Sequence, residues 1–510
     1  MPGRMEFQFM LPKSAPTPKP RDTDAPLRIL IMADFSGRSH QSSPAACAEL
    51  ANRPLLAVDV DNFNAVMARL APKLSLPLGV EGMAIPIGFN QIDDFHPDAL
   101  YQRLELFQAL RHSRARLSNP ASFAAAVAEL CPPPMVDTAQ SAPTAAPEGD
   151  SALLERLLGR APATPTSTPR PQPSASGLTA IQGLLQAAVQ AHIVHTDSRQ
   201  PAWVAAVDAA IGDQMRAILH QSAFQALEAT WRSLQGLIAS LDTDAVRVFL
   251  LDVTQQELLQ DLYAAEGSLQ ATALYSRLID RGVRAAGGEP WSVLVGDYRF
   301  GAGAEDIALL AALGSLAAHA GGPFLAAANP AVLGCDSAEP LTDPARWTPL
   351  PSAIEQNWRQ LRASVVAPWL GLALPRVLLR LPYGRKADPV ESFAFEEMLG
   401  GRDPSAYLWG NPAWVCARLI SAAFTENGWD FSPGDVLELD DCPAHIYEED
   451  GERVMQPATE ALLGERAMSA MLLARGIMPL LGQRQRNTVR LARFQSLAEP
   501  PTALAGAWQS

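Results

Sequence analysis

Apolar residues first gather in LRILIMADFSGR (27–38), where a short apolar run predicts a buried strand and Asp34 to Arg38 the turn after it. Asp61-Asn62-Phe63 opens a short helix through Leu70, and the apolar residues around 74–80 and 85–89 predict strands. His96-Pro97-Asp98 starts a longer helix, with Leu100, Leu104, Phe107, Leu110 and Leu117 largely on one face. Asn119-Pro120 sets a cap before a proline, predicting a further helix to about Leu130.

The pattern then lapses. Residues 131–177 hold most of the low-complexity sequence (PPP, APTAAPEG, APATPTSTPRPQPSASG), too poor in apolar surface to offset its ordering entropy, and this predicts a flexible linker. One island interrupts it, SALLERLLGR (151–160), a short amphipathic helix candidate. Residues 1–25, rich in Pro, Lys and Thr, read as a flexible arm.

Helical periodicity resumes near Gly177. Phe224, Leu227, Trp231, Leu234 and Ile238 step by three or four, a one-face helix, and Ser222-Ala223-Phe224-Gln225 fits a capping box at its start. VRVFLLDV (246–253) predicts a strand, and Thr254-Gln255-Gln256-Glu257 a second capping box opening a helix. Strands at 291–295, near Phe324 and at 377–381 alternate with a helix over 304–320 and one capped by Asn411 with Pro412 in its first turn. Such alternation predicts an α/β fold. The boundaries drawn are 1–25 arm, 26–130 first domain, 131–177 linker and 178–510 second domain.

Composition narrows the function. The 510 residues carry a formal charge of −14, which argues against a nucleic-acid or anionic-membrane partner. The nearly apolar stretch 307–328 is broken by Gly321-Gly322-Pro323 and reads as a helix followed by a buried strand, not a membrane span. Cys47, Cys131, Cys335, Cys416 and Cys442 are odd in number with no CxxC pair, and the N-terminus lacks a signal-peptide core; reduced thiols in a cytoplasmic protein follow.

Candidate chemistry is sparse. Gly301-Ala302-Gly303 lacks the third glycine of a dinucleotide fingerprint and reads as a turn, and the surroundings of Lys386 form no Walker loop. His192 and His195 share a helix face but have no acidic or cysteine partner at ligand spacing. Asp440-Asp441-Cys442 with His445 is the most nucleophile-like cluster, and a loop at a strand end explains it equally. Trp231, Trp347, Trp358, Trp369, Trp409, Trp414 and Trp429 suit either a binding surface or a core. No catalytic, metal or cofactor site is assigned.

Longer strings carry a resemblance. LRILIMADFSGR, RPLLAVDVDNFNAVMARLAPKLSL (53–76) and IDDFHPDALYQRLELFQALR (92–111) resemble the small subunit, TssB (VipA), of the type VI secretion contractile sheath. QMRAILHQSAFQALEATWRSLQGL (214–237), GDYRFGAGAEDIALL (296–310), PFLAAANPAVLG (323–334), LALPRVLLRLPYG (372–384), YLWGNPAWVCARLI (407–420) and LARFQSL (491–497) resemble the large subunit, TssC (VipB). The resemblance covers roughly 27–130 and 177–508.

It implies two α/β modules of the contractile-sheath type, fused through the Pro-rich linker and expected to dock on each other. The implied function is mechanical, not enzymatic: a sheath subunit surrounding an inner tube and propelling it by contraction. Implied partners are other sheath subunits or further copies, the inner-tube protein, the baseplate and the AAA+ unfoldase ClpV. Leu153, Leu154, Leu157 and Leu158 are the candidate ClpV contact, placed where family members carry a Leu-rich helix. Phe224, Leu227, Trp231, Trp409, Asn411 and Phe494 are assigned to the interface or core of the sheath-like fold. Family large subunits continue past the Phe-Gln-Ser-Leu region into a further portion that this sequence does not show, so a non-polymerising adaptor or cap is the alternative expectation.

Overall fold

A strand whose residues are apolar almost without break must be covered on both faces, and β1 (Leu27–Ala33) is buried throughout except at Arg28. The computed structural model describes residues 24–40, 47–78, 83–130, 183, 185–186, 188–189, 192, 200–400, 402–464 and 466–508. The linker and its 151–160 island, with Leu153, Leu154, Leu157 and Leu158, lie outside the described residues, as does His195.

The strands after β1 are, in chain order, β2 (Leu56–Val58), β3 (Lys73–Leu78), β4 (Met83–Gly88), β5 (Val246–Asp252), β6 (Val293–Phe300), β7 (Phe324–Ala328), β8 (Leu370–Leu374), β9 (Val377–Leu378), β10 (Trp409–Gly410), β11 (Glu438–Leu439), β12 (Ile446–Glu449), β13 (Glu452–Met455), β14 (Ile477–Gly482) and β15 (Val489–Leu491). Nine of them make one sheet in the order β11-β15-β14-β8-β7-β6-β1-β5-β2. Its middle, from β14 to β5, is parallel, and antiparallel strands close both edges. β3–β4, β9–β10 and β12–β13 form separate two-stranded pairs.

Helix Pro412–Asn427 packs along β1, β6, β7 and β8, and Ala304–Ala320 along β6, β7 and β8. The small residues of Ala304–Ala320 let it sit buried from Leu309 onward except at His319, and Gly321 ends it at φ +97°. That helix and β7 account for the apolar stretch 307–328. Among the described residues no helix is long and apolar enough to cross a membrane.

Two compact units result. The larger takes in Met1–Pro77, Ala84–Leu100 and Met215–Ser510 and contains the nine-stranded sheet. The smaller takes in Leu78–Met83 and Tyr101–Gln214. Within the smaller, Arg116 on helix Glu105–Ser118 pairs with Glu129 on Phe123–Leu130, and the Gln200 amide donates to the Leu117 carbonyl at 2.7 Å.

The α/β class expected from the alternation is what the described residues adopt. Local details differ. The single helix expected from His96 is two, Pro97–Arg103 and Glu105–Ser118, because Leu104 is extended (φ −77°, ψ 132°); one non-helical residue barely disturbs a 3.6 period. Asn119 does not cap the next helix: it accepts from the Ala121 amide in a turn over 119–122, follows the end of Glu105–Ser118, and the next helix begins at Phe123. The Ser222 capping box does not form: Gln221 is the N-cap, its carbonyl accepting from the Gln225 backbone amide, and the Gln225 side-chain amide donates to the Ser405 carbonyl. The Thr254 box forms in full, Thr254 Oγ accepting from the Glu257 amide and Glu257 from the Thr254 amide.

Candidate assembly interface

The most consequential placement is that of β1. It enters the sheet between β5 and β6, strands that follow it by about two hundred residues or more. Seven of its residues are in parallel register with β5, from Leu27↔Val246 to Ala33↔Asp252, and four with β6, from Ile29↔Val293 to Met32↔Gly296. A strand bonded on both sides cannot leave without exposing two rows of backbone donors and acceptors. The N-terminal segment is thus an internal part of the sheet and not a layer laid against it.

The turn after β1 explains why ADFSGR follows the apolar run. Gly37 has φ +75°, and a Cβ there would lie 2.6 Å from the Lys73 carbonyl, so only glycine fits. The preceding Phe35 accepts a hydrogen bond at its carbonyl from the Trp231 indole, 2.9 Å. Trp231 meets the rings of Phe35 and Phe63 edge-on, at 5.4 and 5.7 Å between centroids. Two turns away on the same helix, Phe224 meets Phe89 and Phe95 at 5.8 and 5.5 Å. The apolar stripe of helix Ser222–Ile238 therefore packs on aromatic residues from the N-terminal segment.

Polar groups fix the register. Buried Arg53 donates to both carboxylate oxygens of Glu257 and, at 2.9 Å, to the Asp252 carbonyl. Arg38 pairs with the Asp252 carboxylate at 2.8 Å. From a π-helix, Ser276–Val283, Arg277 donates to the Arg53 carbonyl at 2.7 Å and Arg281 to the Ala51 carbonyl at 3.1 Å. Asp98 accepts from the amides of Glu391 and Ser392 at 3.0 and 2.8 Å.

A charge network, buried at Glu228, Arg380 and Glu397 and part-buried at Arg232, joins helix Ser222–Ile238 to the 380–397 segment. Arg380 donates to Glu228 at 2.8 Å and to Glu397 at 2.8 and 3.1 Å. Arg232 donates to Glu228 at 2.7 Å and to the Tyr383 hydroxyl at 2.9 Å. Two arginines and two glutamates cancel, which is what makes their burial tolerable. Burial alone would push the Glu397 carboxyl up, but the Arg380 charge, with hydrogen bonds from Arg380 and the Tyr383 amide, brings it down to about 2.

Comparison with known proteins matches two separate parts of the chain. Residues 201–498 match the VipB family, described as EvpB/VC_A0108, tail sheath N-terminal domain. The chain belongs to this tail sheath family. Residues 15–130 match a second family, VipA, described as type VI secretion system, VipA, VC_A0107 or Hcp2. The chain is 36% identical over 307 residues to the type VI secretion system sheath protein TssC1 of Pseudomonas aeruginosa, covering 58% of this chain and 61% of that protein. It is 28% identical over 99 residues to TssB1 of the same organism, covering 18% of this chain and 55% of that protein. It therefore spans less than two thirds of the length of either relative. β1 lies in the VipA-matching part, and β5 and β6 lie in the VipB-matching part.

In this tail sheath chain Phe224, Leu227, Trp231, Trp409, Asn411 and Phe494 are all buried. Phe224 and Trp231 meet the VipA-like part directly, as described above. Asn411 accepts from the Ala413 amide, capping helix Pro412–Asn427, and donates to the Tyr298 carbonyl at 3.0 Å, tying that helix to β6. Trp409 donates to the Pro404 carbonyl. Trp358, Trp369 and Trp414 are likewise buried, and Trp347 and Trp429 partly so.

The nucleophile-like cluster is not assembled. Cys442 Sγ points to the Leu439 carbonyl at 3.7 Å, whereas His445 Nδ1 is bonded to the Tyr407 hydroxyl at 2.7 Å. Burial pushes the Cys442 thiol up to about 11, away from the thiolate a nucleophile needs. His192 pairs with Asp213, and among the described residues no group of three or more His, Cys, Asp or Glu side chains could hold a metal. Gly301 donates to Asp306 in the turn between β6 and its helix, as a turn residue would.

Sequence reasoning missed Arg53 and Glu257 as a pair joining the two parts of the chain, and Glu228, Arg380 and Glu397 as a buried network within the second. The available signal was a charge embedded in an apolar string, as in Arg380 of VLLRLPYG and Glu228 of FQALEATW.

Proposed function

We propose that this chain is a structural subunit of a type VI secretion contractile sheath, with small- and large-subunit parts supplied by one polypeptide. The carrying observation is β1 of the VipA-like part lying between β5 and β6 of the VipB-like part. An interface made by sharing a sheet is permanent in character, as suits a unit that bears mechanical load. The likeness to two proteins both described as sheath proteins supports the same reading.

The role is mechanical, with energy held in the packing of neighbouring subunits, and no catalytic residue is assigned. Its partners are further copies or other sheath subunits, the inner-tube protein and the baseplate. The unfoldase ClpV is a further partner, through Leu153, Leu154, Leu157 and Leu158. The net charge of −14 and the lack of a spanning helix among the described residues support a cytoplasmic protein that neither binds nucleic acid nor inserts in a membrane.

Negative-stain microscopy of the purified chain tests the reading: striated cylinders or tubules are expected. A uniform monomer or small ring overturns it in favour of a non-polymerising adaptor or cap. For ClpV, a synthetic 145–165 peptide is expected to bind the unfoldase N-domain, and no binding removes that contact.

A further inference from the structure

Two surface elements of the larger unit carry opposite charge that the chain itself leaves unpaired. Between Glu465 and Glu499 the sequence has no carboxylate and six arginines, in a protein of net charge −14. Arg484, Arg486, Arg490 and Arg493 are exposed, and the first two sit in the turn that joins β14 to β15, where Gly482 pairs with Val489. Gln485 at φ +61° forms the left-handed corner of that turn. Arg493 donates to Gln495 and Arg490 stands opposite Glu438 in register. Among the described residues neither Arg484 nor Arg486 pairs with a carboxylate.

The acidic counterpart is the β12–β13 hairpin, outside the main sheet. Glu448, Glu449, Asp450 and Glu452 are exposed on it, and Ile446 is 47% exposed. Glu449 and Glu452 lie directly opposite each other across the two strands, a like-charge pairing that costs stability. A lone two-stranded hairpin is marginal in water, and this one has acids at its closing turn, Asp450-Gly451. Among the described residues none of these four carboxylates forms an ion pair. A cationic surface would relieve the repulsion and cover Ile446.

We propose that the Arg484/Arg486 turn of one copy binds the β12–β13 acidic hairpin of a second copy. Guanidinium forks match carboxylates in paired geometry, and two neighbouring arginines facing three glutamates give both attraction and register. The two surfaces are different patches of the same chain, so the contact is head-to-tail and propagates into an open array. This rests on the sheath reading and names a contact within it.

The test uses the full chain in two variants, Arg484→Glu/Arg486→Glu and Glu448→Arg/Glu449→Arg/Glu452→Arg, followed by pelleting and microscopy at low ionic strength. Circular dichroism and thermal unfolding close to those of the unaltered protein verify that both variants fold. Each variant alone is expected to lose assembly at least about tenfold, because like charges then face each other. An equimolar mixture of the two is expected to regain it, since in alternating order every contact again joins opposite charges. If the unaltered chain assembles and either folded variant assembles equally well alone, or the mixture does not recover, this contact is wrong and the sheath reading stands. If the unaltered chain forms no assembly under any salt condition, both fall.

Discussion

The Trp231 indole nitrogen lies 2.9 Å from the carbonyl oxygen of Phe35, a residue 196 positions earlier in the chain. That bond closes the turn after β1 onto helix Ser222–Ile238, and the tryptophan ring fills the space between Phe35 and Phe63. Trp231→Phe removes the donor, leaves the Phe35 carbonyl without its partner and opens a void. The expected loss is about 2–4 kcal/mol, from the unsatisfied acceptor and the missing ring volume together. Urea unfolding of the full chain measures it, and a change under about 1 kcal/mol would mean that Trp231 is no anchor.

Sheet sharing makes a claim about covalent continuity. A protease site inserted within 131–177 and then cut is expected to yield two fragments that travel together on a native column and separate only in denaturant. Arg53→Met in the same cut protein weakens the association, because it leaves Glu257 buried without its bidentate partner, a loss of about 3–5 kcal/mol. Clean separation of the unaltered fragments in native buffer would refute the shared sheet.

Acid stability should report on the Glu397 network. The Glu397 carboxyl is lowered from 4.5 to about 2 in the fold, where burial opposes the ionised form and the Arg380 charge outweighs it. Its folded value lies below its unfolded value, so its contribution is fully present above pH 4.5 and is lost as pH falls through about 2. The contribution is on the order of 3 kcal/mol. Glu397→Gln, which does not ionise, is expected to be less stable at neutral pH and to show a flatter decline over that acid window. Denaturation curves at stepped pH make the comparison, and identical acid slopes for the two proteins would count against the pairing.

Much of the local structure was legible because it depends on neighbours in sequence. The Thr254–Glu257 box, Asn411 before Pro412 and the glycines after helix Ala304–Ala320 all follow from short-range hydrogen bonding and backbone sterics. The Ser222 box failed because the helix begins one residue earlier than the pattern implies, with Gln221 as its N-cap and Ser222 already in the first turn. Buried charges were the least legible: Arg53, Glu228, Arg380 and Glu397 look like solvated residues until their partners are known.

By itself the sequence determined that the chain is α/β, that its periodicity lapses over a Pro-rich stretch, and that each side resembles a different sheath subunit. Periodicity, capping and turn chemistry are local properties, and they survive being read one residue after another. Tertiary structure alone decided that β1 stands between β5 and β6, because the apolar run 27–33 says only that the strand is covered and not by what. Distant groups also tie the first part of the chain to the second, among them Trp231 with Phe35, Arg53 with Glu257 and Asp98 with the 391–392 amides. Those contacts join residues some two hundred to three hundred positions apart, a separation at which local pattern carries no information.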